Sequence, residues 1–161
     1  MSSSISNAEQ AADWARMLAR FTPTVRATVS ELAQRHHTAL AHGFYDAMLQ
    51  EPSAARFLSH EQVHTGLLAS MERWVIQVLS AGPDDDLESL VARQAHIGEM
   101  HARIELPVHL VLRGARCLKN HIHALLLQRT ERMTAMERAS ASWMATQVID
   151  QAMEVMSQAY D

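Results

Sequence analysis

Ten histidines and one cysteine are the side chains of this sequence best suited to metal or nucleophile chemistry, and their spacing excludes most of the sites they could build. His121 and His123 are two residues apart, so they cannot share one helix face. His96 and His101 are five apart, a poor separation for a single metal. His36, His37, His60 and His64 fall near the polar sides of helical patterns. No Glu-x-x-His pair recurs, as a di-iron bundle requires, and no His-Glu-x-x-His occurs. The lone Cys117 excludes an internal disulfide, an iron–sulfur cluster and a Cys-x-x-Cys-His attachment. No catalytic triad or phosphate loop is present. What is left is one histidine holding one metal inside an apolar cleft. Haem is the natural instance, because its macrocycle supplies four ligands and the protein need supply only one. Without a thiol pair it would be held non-covalently. Taken alone, a histidine such as His101 is more often an exposed or hydrogen-bonded residue near a helix end than a ligand.

The elements that would position such a residue are helices. Five glycines and four prolines in 161 residues leave few breaks, so helices should be long. No alternating β-branched run or Asn-Gly turn suggests a strand. The pattern predicts a short helix from Asn7 to about Ala19 with Asn7 as cap. Thr22-Pro23 opens a second, amphipathic helix to Gln50, which Glu51-Pro52 ends. Ser59-His60-Glu61-Gln62 reads as a capping box for a helix to Ser80, stopped by Ala81-Gly82-Pro83. Asp84 to Asp86 precede a helix through Gly98 and His101. Pro107 opens another to Leu127, and the last runs from Met133 to Tyr160. Six or seven helices with short connections fit a helix bundle, a globin or a fragment of a helical repeat, and the pattern alone does not choose.

Bulk properties narrow the class. The net charge of −4 and the absence of a basic cluster argue against a nucleic-acid partner. No stretch is long and apolar enough to span a membrane, and Met1 to Ser4 do not read as a secretory signal. One thiol suits a reducing cytoplasm. A single domain over residues 1–161 is expected, with residues 1–20 as an extension or short helix.

Several runs carry a resemblance. They are Phe44-Tyr45, Phe57-Leu58-Ser59 with Glu61-Gln62-Val63, Met71-Glu72-Arg73-Trp74, His101-Ala102-Arg103-Ile104, Leu106-Pro107-Val108, Arg116 with Leu118-Lys119, and Ala152-Met153-Glu154-Val155-Met156. In this order and spacing the chain resembles the sensor domain of bacterial globin-coupled sensors, most nearly those joined to diguanylate cyclases. The resemblance implies an all-α globin fold with a long final helix and a non-covalent haem b. It implies His101 as the proximal iron ligand and Tyr45 as a distal hydrogen-bond donor to a gas. Leu67 and Ser70, one turn apart, would face the distal side, Leu67 excluding water and Ser70 adding a polar contact. His64 reads as solvent-side, and Met100 faces away from any ligand that His101 holds. Glu105 departs from the glycine expected at the turn that ends the His101 helix.

The last helix carries Met144, Val148, Ile149, Ala152, Val155 and Met156 on more than one side, which predicts a homodimer through the last two helices as a four-helix bundle. It ends without a capping signal and reads as cut within a longer polypeptide. The expected function is reversible O₂ binding, with CO and NO as further ligands, regulating an output domain outside this chain. That output would be a diguanylate cyclase making cyclic di-GMP; a histidine kinase or chemotaxis output is the alternative. A globin enzyme detoxifying NO or peroxide, or a helical domain without cofactor, are the other readings.

Overall fold

The computed structural model describes residues 5–59, 63–128 and 133–161. Among these residues there are six α-helices and no strand: α1 (Asn7–Ala19), α2 (Pro23–Leu49), α3 (Leu68–Ser80), α4 (Leu87–Arg103), α5 (Val108–Gln128) and α6 (Ala135–Ser157). Short 3-10 turns cover Pro52–Ala54 and Gln158–Tyr160, and a π-helical turn, Val63–Leu67, leads into α3.

Local side-chain chemistry sets the helix starts. Ser6, rather than the Asn7 expected, caps α1: its hydroxyl accepts the Glu9 N–H at 3.1 Å and the Glu9 carboxylate accepts the Ser6 N–H at 3.2 Å. The pair forms a reciprocal capping box, whereas the Gln10 amide, three residues after Asn7, donates to the Ile5 carbonyl. Thr22 accepts the Val25 N–H at 3.2 Å with Pro23 in the first turn of α2. Asp86 accepts the Ser89 N–H at 3.1 Å, and Thr134 that of Glu137 at 3.0 Å, starting α4 and α6. The expected box at Ser59–Gln62 lies outside the described residues, apart from Ser59 itself, as do residues 129–132 of the expected polar turn.

Packing explains why α6 is apolar on several sides. It touches all five other helices, and Met144, Ala145, Val148, Ile149, Ala152 and Val155 are buried inside this one chain. The width of its apolar surface therefore reflects a central helix and does not by itself require a second copy. Around it, α1 lies on α4 and α6, and α2 packs along α3. The main core joins Trp14, Leu32, Leu79, Val91, Leu118, Ile122 and Ile149. A second, smaller cluster of Met48, Ala54 and Leu110, flanked by Phe44, Phe57, Leu58 and Leu106, sits where the end of α2 meets the start of α5.

Two contacts fix α4. Gln94, fully buried, accepts the indole N–H of Trp74 at 2.8 Å, tying α4 to α3. Two turns of chain separate Gln94 from His101 on the same helix. Gly98 lies against the backbone of Met156, where an added Cβ would stand only 2.8 Å from the Met156 Cα. No side-chain rotation can relieve that overlap, so Gly98→Ala must push α4 and α6 apart. The expected loss is about 1–3 kcal/mol, read as a lower urea midpoint; unchanged stability would show that the helices separate without cost.

Candidate functional site

His101 occupies the last turn of α4, which ends in a tight reversal. The Glu105 N–H donates to the Ala102 carbonyl and the Leu106 N–H to the His101 carbonyl, both at 3.0 Å. This paired closure needs a left-handed residue after the cap, and Glu105 supplies it with φ 59°. Among the described residues Glu105 alone is a non-glycine with positive φ. The conformation costs an L-residue roughly 1–2 kcal/mol. The departure noted in the sequence thus leaves the expected turn geometry in place, carried by a strained Glu.

The His101 ring is half-buried, and its Nδ1 is buried without a hydrogen-bond partner among the described residues. Burial holds the ring's pKa below its usual 6.5. A neutral imidazole with an unpaired, enclosed nitrogen is the form that coordinates a metal, and an unsatisfied buried polar atom in a native fold asks for such an explanation. Around the corner, Met100, Ile104 and Val108 are exposed apolar side chains. Phe44, Phe57, Leu58 and Leu106 are half-buried beside the smaller core cluster. Apolar walls of this kind suit a large apolar macrocycle.

Tyr45 lies near the end of α2, buried and set edge-on to Phe44 with ring centroids 4.9 Å apart. Burial pushes its pKa up to about 12, so the phenol keeps its proton and remains a donor at neutral pH. Among the described residues its hydroxyl makes no hydrogen bond. Leu67 closes the π-helical turn and is half-buried; Ser70, in the first turn of α3, is exposed and accepts from the Arg73 guanidinium at 3.2 Å. α3 packs along α2, the helix of Tyr45. The side chain of His64 lies outside the described residues.

Other histidines have structural partners. His37 Nδ1 is 3.7 Å from the Glu72 carboxylate. His123 bridges α5 and α6 through Ser142 at 2.8 Å and Thr146 at 3.1 Å. Among the described residues no three His, Cys, Asp or Glu side chains converge as a metal cage. A single enclosed donor such as His101 fits a metal that brings most of its own ligands, as a haem of the globin type does. Two residues near the site escaped the sequence reading. Gln94 is a core amide hidden among polar letters of an amphipathic helix. Tyr160 donates its hydroxyl to the Leu106 carbonyl at 2.7 Å across 54 residues, and no local pattern reports that.

The lowered pKa of His101 has a stability consequence. The unfolded chain titrates near 6.5 and the folded chain below it, so the unfolded state binds more protons and stability falls as the pH drops through 6.5. In protein without haem, His101→Leu is expected to shrink the loss in urea midpoint between about pH 7.5 and about pH 5.5. An identical loss in both proteins would place the acid sensitivity elsewhere.

Comparison with known proteins places this arrangement. A model of the Protoglobin family matches residues 10–161. Diguanylate cyclase DosC of Escherichia coli (strain K12) is 37% identical over 148 residues, covering 92% of this chain and 32% of that protein. DosC of Shigella flexneri is equally similar, with 38% of it covered. The chain thus spans about a third of the length of these curated relatives. The crystal structure of the globin domain of E. coli DosC, in its ferric form, superposes with a TM-score of 0.85 at 36% identity, covering 92% of this chain and 98% of that one. The globin domain of a Geobacter sulfurreducens globin-coupled sensor shares the fold, with a TM-score of 0.75 at 22% identity over 90% of this chain and 95% of that one. With its all-α architecture matched and nearly its whole length covered, this chain is a globin domain and belongs to the protoglobin family.

Proposed function

We propose that the chain is a gas-sensor domain that binds haem b through His101, takes up O₂ reversibly, with CO and NO as further ligands, and regulates an attached diguanylate cyclase that makes cyclic di-GMP in the cytoplasm. The carrying observation is the enclosed, neutral imidazole of His101, whose Nδ1 has no partner among the described residues, in a chain similar to the globin part of DosC. A globin fold implies haem, and the haem iron would supply reversible binding of a diatomic gas.

The chain's own residues supply the selectivity. His101 presents a neutral ring held in place by the closed turn behind it. Tyr45, protonated across the physiological range, offers a hydroxyl with no hydrogen-bond partner among the described residues. A charge-assisted hydrogen bond from it to a polar gas is worth about 1.5–3 kcal/mol, or roughly ten- to a hundredfold in affinity. Such a bond favours O₂ over CO, which carries less negative charge. Leu67 limits water at the distal side. Ser70 accepts from Arg73 and keeps its own hydroxyl proton for a polar contact there.

The domain is proposed to pair with a second copy through α5 and α6. Leu112 and Leu127 on α5, and Met136 and Trp143 on α6, remain exposed in the single chain, and covering them supports that arrangement. Sedimentation at micromolar concentration is expected to give twice the chain mass; a concentration-independent single-chain mass would remove the dimer. Absorption spectra of the ferric, ferrous, O₂- and CO-treated protein test the pocket. His101→Ala should abolish the haem bands of the native protein, and Tyr45→Phe should weaken the O₂ complex by about tenfold or more while sparing CO. Spectra indifferent to both substitutions would mean that the haem, if bound, is held elsewhere.

A further inference from the structure

α2 and α5 pack together with a cavity of about 240 Å³ left between them. Arg113, Arg116, Cys117, Asn120 and His121 of α5 line it, and α2 closes the other side at Ala47 and Met48. None of these side chains belongs to the site around His101 and Tyr45. Helical spacing brings them together. Arg113, Cys117 and His121 recur at every fourth residue, as do Arg116 and Asn120, so two adjacent rows of one helix face the same hollow. At about 1.5 Å of rise per residue the rows extend over about 12 Å.

The lining has the chemistry of an anion receptor. Guanidinium, amide, imidazole and thiol groups can all donate hydrogen bonds. Among the described residues no lining side chain is acidic, in a chain whose net charge is −4. The acid at the edge is Glu51, whose carboxylate accepts from the Arg113 guanidinium at 2.7 Å. That contact steadies Arg113 beside the cavity and leaves the other N–H groups of its fork for a second acceptor. Arg116 makes no ion pair among the described residues. Its charge reaches the cavity wall: burial pushes the Cys117 thiol pKa up, and the neighbouring Arg116 draws it part of the way back.

α2 is shaped to seat the histidine. At Gly43 an added Cβ would stand 2.5 Å from His121 Nδ1. The missing side chain lets the imidazole lie against the α2 backbone, at one end of the rows. Met48 is buried beneath the hollow. An anion held there would be partly withdrawn from water, where charges are screened less than on an open surface.

We propose that this cavity binds a small oxyanion of the phosphate class, with Arg113 and Arg116 as its charged clamp and Asn120 and His121 as further donors. A guanidinium fork meets two oxygens of such a ligand at once. Phosphate carries more charge and more acceptor oxygens than a carboxylate, which suits two guanidinium groups set on successive turns. The site is built within one chain, on the α2 flank of α5. It goes beyond the gas-sensor reading and needs no haem.

The experiment measures binding of inorganic phosphate to the full chain, with haem and without it, at fixed pH and against chloride of equal ionic strength. Two readouts are taken: the heat of titration, and the rate at which iodoacetamide alkylates Cys117, the one thiol of the chain. Saturable uptake of about one phosphate per chain is expected, with a dissociation constant of about 1 mM or below. Alkylation at saturation should slow by about fivefold or more, because the anion both covers the thiol and disfavours its thiolate. Arg116→Gln should weaken phosphate binding by about tenfold or more, and Arg116→Lys should recover part of the loss. Glu51→Gln removes the acid at the edge and should tighten binding by about two- to fivefold. Lys119→Gln removes a cation paired elsewhere, with Asp150 at 2.7 Å, and should change binding by less than about twofold. These side chains are exposed or half-buried, so the fold should survive each change. The proposal is overturned if phosphate binding does not saturate, if chloride protects Cys117 equally, if Lys119→Gln weakens binding as much as Arg116→Gln, or if Glu51→Gln fails to tighten it. A chain that takes up no haem would sink the sensor reading and leave this test as it stands.

Discussion

The contact of α4 with α6 at Gly98 is the constraint on which the rest of the domain turns. Two helix backbones meet there with no side chain between them, which fixes both their separation and the angular setting of α4. Once α4 is set, the last turn that carries His101 has one place to be. The buried Trp74–Gln94 bond then brings α3 to the same helix, and α1 closes over its outer side. α6 lies at the middle of these contacts and must be apolar around most of its circumference. An all-α chain with one long central helix is the outcome of that packing, and the globin comparison describes the same arrangement from outside.

The helix starts were legible in the sequence because caps are local. Thr22-Pro23 and Asp86 each act within four residues of themselves, and the sequence displays the donor, the acceptor and the spacing. Ser6 takes the cap that the sequence pattern assigns to Asn7 because it closes a reciprocal box with Glu9. The apolar residues of α6 were legible as apolar, but their partners were not. A pattern on one helix cannot tell whether a second face meets the same chain or another copy, and here Val148, Ile149 and Ala152 meet the same chain. Gln94 shows the opposite failure. A polar letter in an amphipathic helix reads as solvent-facing, and only the approach of Trp74 shows that it is fully enclosed.

For the pocket, the residue types came from the resemblance, and the structure adds their state. His101 and Tyr45 could be named from runs of letters. That one is driven neutral and the other kept protonated depends on enclosure, which no short motif encodes. On the other side, the π-helical turn at Val63–Leu67 was not foreseen, because its wider winding has no compositional signature. It ends at Leu67, and from there to Ser70 the backbone is α-helical, so those two positions stay one turn apart.

A helix pinned near one end is a lever with unequal arms. At about 1.5 Å of rise per residue, His101 stands about 4.5 Å from Gly98, and Leu87, at the far end of α4, stands about 16 Å from it on the other side. A tilt about the glycine that moves the histidine end by a few tenths of an ångström carries the other end more than three times as far, in the opposite direction. α1 packs against α4, and a tilt about the glycine too small to notice at His101 would be enlarged toward Leu87, against the hold of the buried Trp74–Gln94 bond.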